Sequence, residues 1–217
     1  GVSSAYGAGR RMLMARKLDP EEKTVNAAMR PAASRGWRGL SLADIATSAK
    51  VSLADLCTHF ASKAAILAAY GRRIDAKVLE ESSTEDMSGE TARDRLFDVL
   101  MMRFDAMGEE KEALRRIAAD LRRDPIASAP LARPLLQSMG WMLEAAGIDS
   151  SGIAGALRVR GLAFVWGAAF RVWLEDGEDQ SKTMAELDRR LRDGAAFLER
   201  VSWFGARRRG EDARDAA

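Results

Sequence analysis

The sequence is poor in the residues that cross-link a chain or bind metal. Its 217 residues include one cysteine, Cys57, and one histidine, His59. One thiol cannot form an internal disulfide or a cysteine-based metal cluster, which is typical of a reducing compartment. At this length the chain can bury a core of its own. We therefore expect a cytoplasmic protein that binds no metal.

Long apolar runs are missing too. No stretch approaches the roughly 20 apolar residues that span a bilayer. The MLMA segment at residues 12–15 is too short for the apolar core of a signal peptide. We expect a soluble protein, or at most one that touches a membrane surface.

The motifs of catalysis are also absent from the sequence. It has no phosphate-binding loop, no metal-ligand cluster and no activated nucleophile. Cys57 and His59 lie two residues apart, so on a helix their side chains diverge and cannot act as a nucleophile and its base. The sequence predicts no enzyme activity and no cofactor.

Charge is small overall but unevenly distributed. The net charge is +2, yet residues 1–63 hold ten Lys or Arg against five Asp or Glu, so this end carries +5 and the remainder −3. The basic end is the part most suited to an anionic partner. A solvated surface with scattered charges would have the same composition.

Helical periodicity covers most of the chain and no strand pattern interrupts it, so the expected class is all-α. A first helix should run from about Pro20 to Arg35, with Pro31 kinking it or ending it early. Ser41, Ser52 and Ser62 suit the starts of three closely spaced helices, the first two joined by a tight turn. This arrangement is the helix-turn-helix pattern.

Residues 20–70 resemble the helix-turn-helix domain of TetR-type transcriptional regulators, with the expected spacing and no gap. The resemblance implies a TetR-like fold of about nine helices and a homodimer that binds a pseudo-palindromic, double-stranded DNA operator. The matching residues are Ala27, Ala28, Gly36, Trp37, Ser41, Asp44, Ile45, Ala46, Ala49, Val51, Ser52, Leu56, His59, Phe60, Ser62, Lys63, Ile66 and Leu67.

In that family the second short helix enters the major groove, and hydroxyl, tyrosine and lysine side chains around it hold phosphates. The resemblance therefore implies DNA contacts for a set of residues in this segment. They are Ser41, Lys50, Ser52, Leu53, Asp55, Thr58, His59 and Lys63.

Several of these positions depart from the family pattern. Asp55 stands where Thr or Ser is usual, Cys57 where Tyr is usual, and Lys50 where the turn normally has Gly. Leu53 and Ala54 replace the common Lys or Pro and Gly. The Asp55 carboxylate would repel a phosphate, or it could accept from a cytosine amino group in the groove. A packed three-helix cap that binds no DNA is the alternative.

The rest of the chain is rich in Met and Trp, which suit an adaptable apolar cavity. TetR-type bodies hold small hydrophobic ligands between their middle helices, although a plain core uses the same residues. The expected ligand-binding residues are Met101, Phe104, Met139, Trp141, Met142, Trp166 and Phe170.

Two long helices are expected to close the chain, at about residues 151–174 and 182–207. Small residues on the first and a heptad-like repeat on the second favour a four-helix bundle between two subunits. Packing within one chain is the alternative. The expected dimer residues are Leu157, Gly161, Phe164, Ala168, Leu187, Leu191, Leu198 and Val201.

A second resemblance lies in the same region. Residues 111–117, 141–149 and 171–191 are similar to a lipid-binding accessory family of coenzyme Q biosynthesis that shares the TetR fold. This resemblance implies an isoprenoid lipid in the cavity, a head that binds no DNA, and a membrane contact through Trp203 and Phe204. An ordinary helix end with a basic tail is the alternative at that site.

Of the two functions, the transcriptional regulator is preferred over the lipid-binding protein. The resulting domain organisation has four parts. The parts are a flexible basic arm at 1–17, a helix-turn-helix domain at 18–65, a helical ligand-binding and dimerisation domain at 66–207, and a flexible tail at 208–217.

Overall fold

A computed structural model describes residues 20–83 and 89–194, and within those ranges every regular element is helical. The all-α class is therefore confirmed. Several predictions lie outside the described residues: the arm at 1–17, the tail at 208–217, and the side chains of Leu198, Val201, Trp203 and Phe204.

Nine α-helices are complete within the described ranges, and a tenth, α10, begins at residue 181 and is described as far as 194. The nine are α1 (Pro20–Arg35), α2 (Leu42–Ala49), α3 (Leu53–His59), α4 (Lys63–Ser82), α5 (Ala92–Ala106), α6 (Lys111–Arg122), α7 (Pro125–Ser128), α8 (Ala132–Ala145) and α9 (Gly152–Glu175).

Serine caps set the starts of α2, α3 and α4, as predicted. The Ser41 hydroxyl accepts from the Asp44 amide, and the Asp44 carboxylate accepts from the Ser41 amide at 2.9 Å. These paired bonds satisfy two amides that the first turn of a helix would otherwise leave open. Ser52 and Ser62 cap α3 and α4 through their hydroxyls.

Pro31 does not end α1 early, and the helix has the expected bounds, Pro20–Arg35. The helix continues to Arg35 and stops where Gly36 adopts a φ of +75°. Proline has no amide hydrogen, so it leaves the carbonyl four residues earlier, that of Ala27, without its helical donor. The Ser48 hydroxyl of α2 donates to the Ala27 carbonyl at 3.0 Å and satisfies that oxygen.

The first three helices form a head that packs directly on the remaining helices, the body. α1 packs against α2 and also against α6, while α4 packs against α5 and α8, and α8 against α9. The boundary that the sequence predicts at residue 65 falls inside α4, so it would divide this one helix between the two predicted domains. A single core runs from Ile45 and Leu56 in the head to Leu187 in α10.

α9 contradicts the expectation that no segment is long and apolar enough to span a membrane, when it is judged by length and composition alone. An 18-residue window of α9 has a mean hydropathy of 1.3, and 28% of that window is buried inside the chain. Core helices of soluble proteins pass the same test. Its exposed apolar side chains include Ile153, Leu157 and Phe164.

Candidate functional site

α3 is held to the head by one buried side chain. Leu56 is 2% exposed and lies in the core with Ile45 and Phe60, whereas the other six residues of α3 are exposed. The predicted contacts Leu53, Asp55, Thr58 and His59 are among the exposed six, and Cys57 is exposed beside them. The helix therefore offers almost its whole surface to a partner.

The turn between α2 and α3 is tight because Lys50 adopts the left-handed conformation, with φ 57° and ψ 42°. Glycine accepts this conformation without strain, and a residue with a β-carbon does not. Lys50 therefore occupies a positive-φ position, which explains why glycine is usual in such a turn. Its side chain is exposed next to α3.

Asp55 has a role inside α3 that the sequence analysis missed. The Ser52 hydroxyl donates to its carboxylate at 2.7 Å, and the Asp55 amide donates back to the Ser52 hydroxyl at 3.0 Å. The same Ser-x-x-Asp spacing occurs at Ser41 and Asp44 at the start of α2. That repeated spacing indicates a helix cap and could have explained Asp55 without reference to DNA.

Lys63 differs from the other predicted DNA contacts because it is only partly exposed. Its Nζ donates to the carbonyls of Trp37 at 2.5 Å and Leu40 at 2.6 Å, and lies 5.0 Å from the centroid of the Trp37 ring. Burial lowers the pKa of this ammonium group. Two of its three donors therefore tie the loop after α1 to the start of α4.

A cleft of about 930 Å³ lies in the body and is lined by residues of α4, α5, α6, α8 and α9. Three of the seven predicted ligand-binding residues line it, namely Trp141, Trp166 and Phe170. Its walls are mostly apolar, with Leu67 and Leu135 among them. Its size and lining are typical of a small-molecule site.

The other four predicted ligand-binding residues do not line the cleft, which corrects the predicted set. Phe104, Met139 and Met142 are completely buried in the core, and Met101 packs partly buried against that core. The Phe104 ring stacks on Trp166 with 4.4 Å between centroids. These side chains support the wall of the cleft from behind. The prediction included them because apolar periodicity marks buried faces but does not distinguish residues that line a cavity from residues in the core.

One wall of the cleft carries a buried polar cluster that the sequence analysis did not identify. Arg103 donates to the carboxylate of Asp75, and the Ser138 hydroxyl donates to the same carboxylate at 2.7 Å. All three side chains are buried and line the cleft. The Arg103 guanidinium also lies 5.0 Å from the centroid of the Trp166 ring, and its Nε has no hydrogen-bond partner.

A sequence pattern marks Arg103. Leu96 and Leu100 on α5 and Met107 at its C-cap are buried at steps of four and seven, and Arg103 falls on the same stripe. A charged residue on the buried face of a helix needs a partner, because an unpaired buried charge is costly.

No group of three His, Cys, Asp or Glu among the described residues could hold a metal ion.

Asp120 on α6 joins the body to the head. Its carboxylate accepts from the amides of Trp37 at 2.7 Å and Arg38 at 3.0 Å, and these backbone bonds hold its pKa below the usual range. Ile117 and Leu121, on the same helix, line the cleft. One short helix therefore contacts both the cleft and the loop that precedes α2.

Six of the eight predicted dimer residues lie within the described ranges, and these six fall into two groups. Leu157, Gly161 and Phe164 on α9 are exposed. The second group is buried within the chain, so it offers little surface to a partner and is corrected to the core of the subunit: Ala168, Leu187 and Leu191.

Comparison with known proteins agrees with this geometry. Residues 25–70 match the family model described as bacterial regulatory proteins, tetR family. The fold is similar to that of a TetR transcriptional regulator from Nitrosomonas europaea ATCC 19718, with 22% identity, a TM-score of 0.65, and coverage of 82% of this chain and 99% of that one.

A protein described as a TetR-family transcriptional regulator from Rhodococcus sp. is also similar, with 22% identity, a TM-score of 0.55, and coverage of 80% and 97%. None of the curated proteins compared with the chain matches it. The chain is therefore an all-α protein with a TetR-like fold, and its head matches the helix-turn-helix segment of that family. The comparisons do not support the second resemblance, to the coenzyme Q lipid-binding family.

Proposed function

We propose that the chain is a cytoplasmic, homodimeric transcriptional regulator. It binds a pseudo-palindromic site in double-stranded DNA through α3 and the turn before it, and a small apolar ligand in the body changes that binding. The observation that carries the proposal is α3 itself: a capped helix with six exposed residues and one buried anchor, inside a segment that matches a family of regulators.

The dimensions and charge of the head support DNA as the partner. A major groove about 12 Å wide admits one α-helix. Lys50 and Arg38 are exposed on the head, and residues 1–63 carry a net charge of +5. Exposed cations of this kind contact phosphates, which supply most of the sequence-independent affinity.

A response to ligand is supported by the position of α6. A ligand between Leu121 and α8 would press on a helix whose Asp120 holds the backbone of Trp37 and Arg38. A shift of α6 would therefore move the head. A ligand that binds one position of α6 more tightly than the other changes the population of DNA-binding heads.

Pairing of two subunits is supported by α9. Ile153, Leu157 and Phe164 are between 62% and 85% exposed, an unusual density of large apolar side chains for a surface helix. A second copy of α9 would cover them through a two-fold interface. The resulting pair of heads could reach successive major grooves, about 34 Å apart.

A charge-introduction experiment tests the proposed DNA surface. Thr58→Asp places a carboxylate on the exposed face of α3, so we expect it to weaken binding to DNA from the upstream region of its own gene by roughly tenfold or more. The matched control is Ser181→Asp, at an exposed position at the start of α10 in the body. Equal affinities for both variants would remove α3 from the DNA surface.

A further inference from the structure

We infer that the cleft selects an uncharged amphiphile, with an extended apolar part and one hydrogen-bond acceptor such as a ketone or ester carbonyl that bonds to Nε of Arg103. This inference rests on the proposed ligand-binding role of the body. It adds the chemical class of the ligand and the residue that recognises it.

The apolar part of the ligand follows from the walls of the cleft. Leu67, Ile117 and Leu135 line it together with the rings of Trp166 and Phe170. A volume of about 930 Å³ is more than a few water molecules need, and apolar walls give water few partners. An apolar chain or ring system gains free energy by covering such walls.

The acceptor follows from Arg103. This side chain is 5% exposed, and its Nε is buried with no partner, while another nitrogen of the same guanidinium is bound to Asp75. A buried N–H without an acceptor is energetically costly. Since Arg103 lines the cleft, an oxygen of a bound molecule can supply the missing acceptor.

The lack of charge follows from the bonds that the charged groups lining the cleft already make. Asp75 already neutralises Arg103, and Arg72 at the edge is paired with Glu21 at 3.0 Å. The Glu144 carboxylate accepts from the amide and the hydroxyl of Ser150. A carboxylate on the ligand would have to lose its hydration beside a cation that is already compensated. An ammonium group would find Asp75 occupied by Arg103 and Ser138. A neutral carbonyl needs only the one open N–H.

Three probes with the same chain length test this inference: 2-dodecanone, dodecanoate and dodecylammonium. Binding is followed by tryptophan fluorescence, since Trp141 and Trp166 line the cleft. At about neutral pH we expect the ketone to bind at least roughly tenfold more tightly than either ion, because a bond to a charged donor contributes about 1.5 kcal/mol or more. Equal or tighter binding of either ion would overturn the inference.

Two variants locate the bound ketone. Arg103→Lys keeps a cation for Asp75 but removes the N–H at the Nε position, so the ketone should lose roughly tenfold in affinity. Gly71→Phe fills the cleft itself, because Gly71 lines it on α4 and an added β-carbon there meets nothing within 4 Å. This second variant should abolish ketone binding, and its control is Gly108→Phe, which also enters open space but lies outside the cleft.

Each outcome of these experiments either supports or overturns the inference about the ligand. Unchanged ketone affinity in Gly71→Phe would place the ligand elsewhere and overturn the inference, and so would unchanged affinity in a folded Arg103→Lys. If Arg103→Lys does not fold, the three probes and Gly71→Phe still test it. DNA binding is measured separately on the ligand-free protein, so failure of the ketone preference and failure of the regulator proposal are distinguishable.

Discussion

The carboxylate of Asp120 accepts a hydrogen bond of 2.7 Å from the backbone amide of Trp37, 83 residues earlier in the chain. The same oxygen accepts from Arg38. Through these bonds a helix of the body holds the loop between the first two helices of the head. Gly36 fits the close approach, because an added β-carbon there would lie 3.0 Å from the Asp120 carboxylate.

Removal of this carboxylate should loosen the loop selectively. In Asp120→Ala the amides of Trp37 and Arg38 lose their acceptor, so we expect their hydrogen exchange to accelerate and the free energy of unfolding to fall by about 1–2 kcal/mol. Exchange measured by NMR, with urea unfolding, tests this. Glu112→Ala, at an exposed position on the same helix, is the control. Unchanged exchange at both amides would contradict the link.

The buried ion pair should matter far more than exposed ones. Asp75→Ala leaves Arg103 charged and buried without a partner, which is expected to lower the free energy of unfolding by about 3–5 kcal/mol. Asp193→Ala breaks an exposed pair with Arg189 and should change it by less than about 0.5 kcal/mol. Similar losses from both substitutions in chemical unfolding would disprove the assigned burial.

The cap of α2 should be sensitive to acid. Hydrogen bonds from the Ser41 amide and hydroxyl lower the pKa of Asp44 from 3.8 to about 2. Because the pKa is lower in the folded state, the stability that Asp44 contributes is present above 3.8 and is lost as pH falls towards 2. An NMR titration should find the Asp44 midpoint near 2, and in Ser41→Ala, which removes the hydroxyl but keeps the amide, it should rise part of the way to 3.8. A midpoint near 3.8 in the wild type would exclude the cap.

The exposed face of α9 should carry the dimer. Phe164→Asp replaces an apolar side chain that is 67% exposed with a carboxylate, and the loss of hydration of that carboxylate in an interface opposes association. We expect this variant to sediment as a monomer at concentrations where the wild type sediments as a dimer. Ile126→Asp introduces the same charge at an exposed position of α7 and should leave the dimer intact. A dimeric Phe164→Asp would move the interface elsewhere.

Local chemistry made much of the fold predictable from the sequence. The serines that start α2, α3 and α4 act through bonds to residues three positions later, so their spacing is visible in the chain. The bounds of α1 were predictable too, but the way in which it accommodates Pro31 was not. The Ala27 carbonyl loses its helical donor and accepts from Ser48, which lies on another helix.

The site was less predictable because its bonds join distant segments. Nothing near Asp120 in the sequence points to Trp37. The two carbonyls that accept hydrogen bonds from Lys63 lie more than twenty residues before it. Periodicity identified Leu187 and Leu191 as apolar and in register, but it could not tell whether their own chain or a partner covers them. Arg103 could have been found, since it interrupts an apolar stripe on α5.

DNA binding itself is the central claim, and the most direct test is titration of the protein with duplex from the upstream region of its own gene and with random duplex of equal length. The titrations should span about 50 to 200 mM salt, because affinity through phosphates falls steeply over that range. The upstream duplex should bind roughly 10³-fold or more tightly than random DNA. Equal, weak binding of both duplexes that vanishes together near physiological salt would contradict it.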